Sequence, residues 1–330
     1  MNDTEKNTII NKKNMNIGKN ILKIFRAGGV YFALLFLIII SGILSPTTIS
    51  PSHLLEVLRN TAILGIICIS QTLLILTRGI DLSVGASVTL INLVIAGVSL
   101  GQPENTAIAI VIALLLGMAI GLFNGFLAVK LKIEPLVGSL GVMILLEGLA
   151  FLYTRGFAKG ITPPFIKFIG VGKFFNLIPV STVLWAVVSI IIIFILKRTL
   201  FGRSIFAVGS NPSAAAISGI KVDRVRLTVY LISGLLIGIA GIVWSGFLGT
   251  PTLTSGEYFP LDSIAAVIIG GTTFAGGKGG IGGSVVGAII IVYLSSFLTI
   301  IGIGVEWKII AQGLIILLLV FGYTGRKNYK

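Results

Sequence analysis

Side chains able to do acid–base, nucleophilic or metal chemistry are few in this chain and scattered. His53 is the only histidine and Cys68 the only cysteine in 330 residues. A zinc site needs three or four convergent ligands, and a nucleophile–histidine relay needs a histidine beside its nucleophile. Neither can be assembled here, so His53 reads as a surface or interfacial residue. A single cysteine excludes an internal disulfide framework. The stretch GGTTFAGGKGG at 270–280 is the one nucleotide-loop candidate. A phosphate loop has the form G-x-x-x-x-G-K-[ST], in which backbone amides and the lysine cradle phosphate. Setting its G-K on Gly277 and Lys278 places Thr272 at the first glycine and Gly279 at the hydroxyl position, and both fail. Gly277, Gly279 and Gly282 satisfy G-x-G-x-x-G, but a dinucleotide site needs a preceding strand and a βαβ unit. Apolar runs flank this segment instead, and a tight glycine-rich turn is expected. No catalytic set and no metal site survive, and no cofactor is expected to bind this chain.

A second group of polar residues lies inside apolar runs. Arg78 stands three residues before Asp81, close enough to pair with it on a helical turn or a broken helix. Glu147 falls about eleven residues into its run, where an ionised acid is costly unless paired or hydrated. It is expected to face the bundle interior or a wet cavity near the external side. Gln71, Asn92 and Asn124 are amides in similar settings. Each can line a path for an uncharged, hydroxyl-bearing solute, and each can instead hydrogen-bond between helices.

The elements that must carry these residues are membrane helices. The chain is 55% hydrophobic, only 11% charged, with mean hydropathy +1.06; soluble domains average about 25% charged residues. About 20 apolar residues span the roughly 30 Å hydrocarbon layer as a helix. Runs at 31–44, 61–77, 82–100, 106–129, 136–153, 180–196, 227–248, 263–275, 281–301 and 307–323 predict an all-α integral membrane bundle of about ten spans, with 263–275 the weakest. Residues 52–59 are expected as a short interfacial helix. Gly117, Gly121 and Gly125, and Gly234 with Gly238, recur every four residues, the spacing that lets helices approach closely in lipid.

Net charge is +14. The charges sit between apolar runs, which points to the positive-inside rule and not to nucleic acid. With ten spans and the N-terminus inside, nineteen of the 25 lysines and arginines fall on the cytoplasmic side, so both termini are expected there. The external 154–179 loop, with four positive residues, fits less well. The basic start followed by an apolar run lacks a small-residue cleavage site, so residues 30–44 read as a retained first span. The expected organisation is a polar tail at 1–29, a transmembrane domain at 30–323 with a cytoplasmic loop at about 197–226, and a short tail at 324–330.

The most informative cytoplasmic stretch is FGRSIFAVGSNPSAAAISGIKVDRVRL at 201–227. Asn211 suits an N-cap, Pro212 the first helical position, Ala214–Ala216 a helix interior and Gly219 the position past its end. A two-turn helix at about 212–218 follows, flanked by Arg203, Lys221, Arg224 and Arg226. The pattern G-R-x-x-x-A-x-G-x-N-x-x-A-A-x-x-S-G-I at 202–220 resembles the coupling segment of permeases in the ribose/xylose/arabinose/galactoside importer family. RGIDLSVGA at 78–86, GLFNGFLAVKLKI at 121–133, LDSIAAVIIGGTTFAGGKGGIGGSVVGA at 261–288 and the Trp307 region before a final apolar run resemble that family in the same order. The sequence departs from the pattern at Glu147, where a basic residue is usual.

This resemblance implies the permease subunit of an ATP-binding cassette importer in the cell membrane. It further implies a second permease chain, identical or related, ATPase subunits that use ATP and Mg, an external sugar-binding protein, and import of a monosaccharide. Gly209, Asn211, Pro212, Ala214, Ala215, Ser218 and Gly219 would couple to the ATPase. The alternatives are an ion-coupled secondary transporter, which predicts inverted repeats and paired intramembrane acids, and a membrane enzyme, which one histidine does not support.

Overall fold

The computed structural model describes residues 29–304 and, beyond them, residues 306, 307, 309, 310 and 313. Both expected tails and most of the expected final span at 307–323 lie outside the described residues. Within residues 29–304, twelve α-helices follow in chain order. They are α1 Gly29–Leu44, α2 Pro51–Leu76, α3 Val84–Ser99, α4 Thr106–Gly125, α5 Pro135–Thr154 and α6 Pro164–Val171. After a two-residue antiparallel hairpin (β1 Lys173–Phe174, β2 Ile178–Pro179) come α7 Val180–Arg198, α8 Leu200–Ser210, α9 Pro212–Ile217, α10 Val222–Leu248, α11 Phe259–Ile269 and α12 Ile281–Ile300.

Among the described residues, six helical segments are long and apolar enough to cross a membrane: α2, α4 with its flanking turns, α5, α7, α10 and α12. α1, α3 and α11 are apolar but shorter. Nine of the ten expected runs therefore coincide with helices, though not all with full-length spans. The segment 52–59 is not a separate interfacial helix. It forms the first turns of α2, because Pro51 occupies the first turn, Ser50 accepts from the His53 amide (3.4 Å) and nothing before residue 61 breaks the helix.

α2 and α10 form the centre. α2 is buried along most of its apolar length, whereas α5 is 22% buried and stands at the periphery. α4 lies against α10 through its glycines. A Cβ on Gly117 would come within 2.4 Å of the Gly234 carbonyl, and one on Gly234 within 2.2 Å of the Gly117 carbonyl. The four-residue glycine spacing thus lets two backbones touch, which is where helix association in lipid gains its packing.

α3 and α11 are short for a physical reason. After α2 ends, residues 77–83 turn back into the bundle, and Gln71 on α2 hydrogen-bonds the Asp81 backbone. On the other side, residues 250–258 dip inward until the Gly256 amide donates to Thr89 Oγ1 on α3 (3.0 Å). The eleven residues of α11 rise only about 16 Å, half the hydrocarbon layer. Non-helical backbone at membrane depth survives where protein buries it or where it lines a cavity. Most of residues 77–83 are buried to some degree, whereas 250–258 are mostly exposed and line a recess. The hydrophilic stretch at 197–226, expected as a loop with one small helix, holds α8, α9 and the first turn of α10. The 154–179 stretch holds α6, whose Gly170 packs on Gly246 of α10.

Candidate functional site

Three places bring the singled-out residues together. The first is a buried polar cluster at the re-entrant segment. Asp81 is 4% exposed. Its Oδ1 accepts from the Ser83 amide (2.7 Å) and hydroxyl (2.6 Å), an arrangement that closes an Asx-type turn and launches α3. Asn124 of α4 donates to Ser83 Oγ (2.9 Å) and to Asp81 Oδ2 (3.4 Å). Gln71 holds the Asp81 backbone from α2, and Ser139 of α5 accepts from the Leu82 amide (3.0 Å). Four helices are thereby tied to seven residues of irregular chain. Gln71 and Asn124 act here as ties between elements. Asn92, fully buried on α3, has neither amide atom partnered. Ser83, inside the RGIDLSVGA motif, and Ser139 were given no site role from the sequence; a serine in a membrane run gives no such signal until its partner is known.

The expected Arg78–Asp81 pair is not made among the described residues. α2 ends with the Gly79 amide bonding the Leu74 carbonyl (2.8 Å) and the Arg78 amide bonding the Ile75 carbonyl (3.0 Å), a Schellman motif with Arg78 in its left-handed position (φ 65°). That conformation sends the guanidinium away from Asp81. Arg78 Nε donates to the Gly209 carbonyl and Nη2 to the Ser210 carbonyl, both at 2.7 Å.

This clasp is the second place. Gly209 sits so close that a Cβ would strike the Leu76 carbonyl at 1.8 Å, and that carbonyl also accepts from the Gly277 amide (2.9 Å). The glycine-rich stretch is therefore a turn, with Gly276, Gly277 and Gly279 at positive φ. Directly after the clasp, Asn211 Oδ1 accepts from the Ala214 amide (3.1 Å) and Pro212 opens α9. Gly219 (φ 83°) and Ile220 close it with a second Schellman pair of bonds. The short helix is thus present with the caps its residues suggest. Ala215, expected on a docking surface, is buried against its own chain (5% exposed), because the fourth position of this helix points back to the bundle. Ser213, Ala214, Ala216 and Ser218 are exposed, and Ile217 is 89% exposed.

The third place is a recess of about 230 Å³ beside α3 and α5, lined by Thr89, Glu147, Phe151, Thr254 and Glu257 among others. Glu147 does not face the interior of this chain's bundle. It is exposed on the outer side of α5, across the recess from Glu257 in the inward-dipping loop.

A family model described as branched-chain amino acid transport system / permease component matches residues 53–320. This chain belongs to that family. Among curated proteins it is similar to the ribose import permease RbsC of Bacillus subtilis strain 168, at 37% identity over 88% of this chain and 91% of the relative. RbsC of Escherichia coli K12 is 36% identical over 87% and 90%, and the galactose/methyl galactoside import permease MglC of the same strain is 33% identical over 92% and 95%. No solved structure matches. The chain is a multi-pass membrane permease component of an ATP-binding cassette importer, and the ion-coupled alternative gains no support from these relatives. In such a permease, the end of α8 that leads into α9 and the buried cluster are joined through one seven-residue segment, 77–83, whose Arg78 holds the last carbonyls of α8 and whose last residues hold α3 and α4.

Proposed function

We propose that this permease carries a monosaccharide, a ribose-like pentose or a hexose, into the cell by alternating access. Ribose and galactose permeases that align over about nine-tenths of the chain support the substrate class. The observation that carries the mechanism is α9: a helix capped at both ends, seated on the bundle by Ala215, presenting Ile217 and small residues outward. A partner ATPase, which binds ATP and Mg, would dock this face and move it. Arg78 would pass the displacement to the re-entrant segment. The excess of lysine and arginine in the segments around α9 supports a cytoplasmic position for α9 and both termini, with about ten spans in all.

The partners follow from the same surfaces. Glu147 and Glu257 line a recess on an outer face, and an acid facing lipid costs about 2.5–3.5 kcal/mol or more at mid-bilayer. A second permease chain, identical or related, would cover that face and leave a hydrated path between the two. An external sugar-binding protein would deliver the sugar. The test is Ile217→Glu, a change on an exposed side chain that leaves the bundle intact. It is expected to reach the membrane at normal abundance and to lose both ATPase co-purification and uptake of labelled ribose or galactose. Unchanged co-purification and uptake would refute the docking role of α9.

A further inference from the structure

At the end of the bundle opposite α9, a cavity of about 510 Å³ opens among α2, α10, α11 and α12. Small-ligand sites run from about 300 to 1,000 Å³. It extends from His53 in the first turn of α2 to Leu64, about 16 Å along the helix axis, and reaches Asp262 in the first turn of the half-length helix α11. It is distinct from both the buried cluster at Asp81 and the recess at Glu147.

One wall is aromatic. Trp244 stacks on Phe247 (centroids 5.4 Å apart, 10° between planes) and meets Phe259 edge-on at 5.1 Å. The Arg59 guanidinium carbon lies 5.6 Å from the Phe247 ring centroid. The remaining lining mixes apolar side chains such as Ile63, Leu64 and Ile291 with polar ones, and four of its polar atoms are unpaired. His53 Nε2, Asn60 Oδ1, Trp244 Nε1 and Asp262 Oδ1 are buried atoms with no hydrogen-bond partner among the described residues. Native structures rarely leave such groups unpaired, and four around one cavity call for an occupant.

The chemistry of the four atoms narrows that occupant. The indole N–H only donates, the carboxylate and amide oxygens accept, and an imidazole nitrogen does either according to its tautomer. An anion would need donors throughout. No group of three or more His, Cys, Asp or Glu able to hold a metal ion occurs among the described residues. A purely apolar guest would leave every polar atom unpaired. A ring of hydroxyls, each both donor and acceptor, with C–H faces against aromatic carbon, satisfies all parts of the lining.

We propose that this cavity is an outward-facing subsite for one neutral monosaccharide within a single permease chain. Trp244, Phe247 and Phe259 form its apolar wall, and His53, Asn60 and Asp262 meet its hydroxyls. The inference rests on the sugar-import reading above and adds that each chain holds its own sugar, apart from any path between chains.

The experiment has two arms. In the first, tritiated D-ribose and D-galactose are titrated onto the full chain in lipid nanodiscs, without the binding protein. Saturable binding near one sugar per chain is expected for at least one of them. Asn60→Ala and Trp244→Phe should each weaken it about tenfold, the loss of one hydrogen bond to a hydroxyl. Asn60 Oδ1 has no partner among the described residues, so its removal unpairs none of them. The second arm measures uptake of the same sugars by cells carrying the whole importer. Wild-type uptake with no binding in nanodiscs, or with binding and apparent KM unchanged in both variants, overturns the subsite and leaves the import reading standing. No uptake and no binding of any monosaccharide by wild type overturns both.

Discussion

Two helices at the same end of this permease stop with the same hydrogen-bonded turn, one closed by glycine and one by arginine. α9 ends at Gly219, where no atom lies within 4 Å of an added Cβ, so the residue serves backbone geometry alone. α2 ends at Arg78, which takes the left-handed conformation at a cost of roughly 1 kcal/mol relative to glycine. The arginine is compensated by two charge-assisted hydrogen bonds to the carbonyls at 209 and 210. The first turn is a local event that its own residues specify. The second is a junction, strained locally and held by a segment 131 residues away. The difference teaches that the end of α2 is where the chain stores its connection between the junction of α8 with α9 and the buried cluster.

The comparison breaks most visibly at the far end of the re-entrant segment. Asp81→Ala leaves the Ser83 amide and the Asn124 amide without their carboxylate, and about 3–5 kcal/mol of stability is expected to go with them. Membrane abundance and thermal melting of the purified chain would register it. A variant that melts like wild type would mean that the cluster is not a structural tie.

Arg78→Ala comes next, with about 2–3 kcal/mol lost locally and uptake reduced by roughly tenfold or more. Arg78→Gly sharpens the point, since it suits the turn and lacks the guanidinium. Its melting temperature should exceed that of the alanine variant while uptake stays equally low, and amide exchange over 209–218 should rise in both. Restoration of uptake by glycine would reduce Arg78 to a turn residue.

Ala215→Glu should cost about 1–3 kcal/mol, because a carboxylate replaces a methyl group pressed against the bundle. Reduced thermal stability is the readout that separates it from Ile217→Glu, which should melt normally. The smallest effect is expected at Gly219→Ala, roughly 1 kcal/mol of local helix stability from the strained φ alone, with uptake nearly intact. A large loss of uptake there would show that the turn moves during transport.

The sequence by itself determined the membrane class, the positions of nine apolar helices and the whole of α9 with its caps. These are properties of composition, of run length against bilayer thickness, and of residues interacting with neighbours three or four positions away. The glycine-spaced contact of α4 with α10 was equally legible as a tendency, since close approach needs only missing side chains. Sequence reasoning placed Arg78 beside Asp81 because they are three apart, but one left-handed residue turns the arginine toward Gly209 and the aspartate toward Asn124. It placed Ala215 on a partner, whereas Ala215 packs on its own chain. It expected Glu147 in the bundle interior or a wet cavity, of which the structure gives an open recess and not the interior, because the face a helix turns inward depends on what packs beside it. The half-length of α11, the inward dip of residues 250–258 and the cavity walled by Asn60, Trp244 and Asp262 join residues up to 202 positions apart. Only tertiary structure could decide them, since pairing across such distances leaves no local periodicity to read.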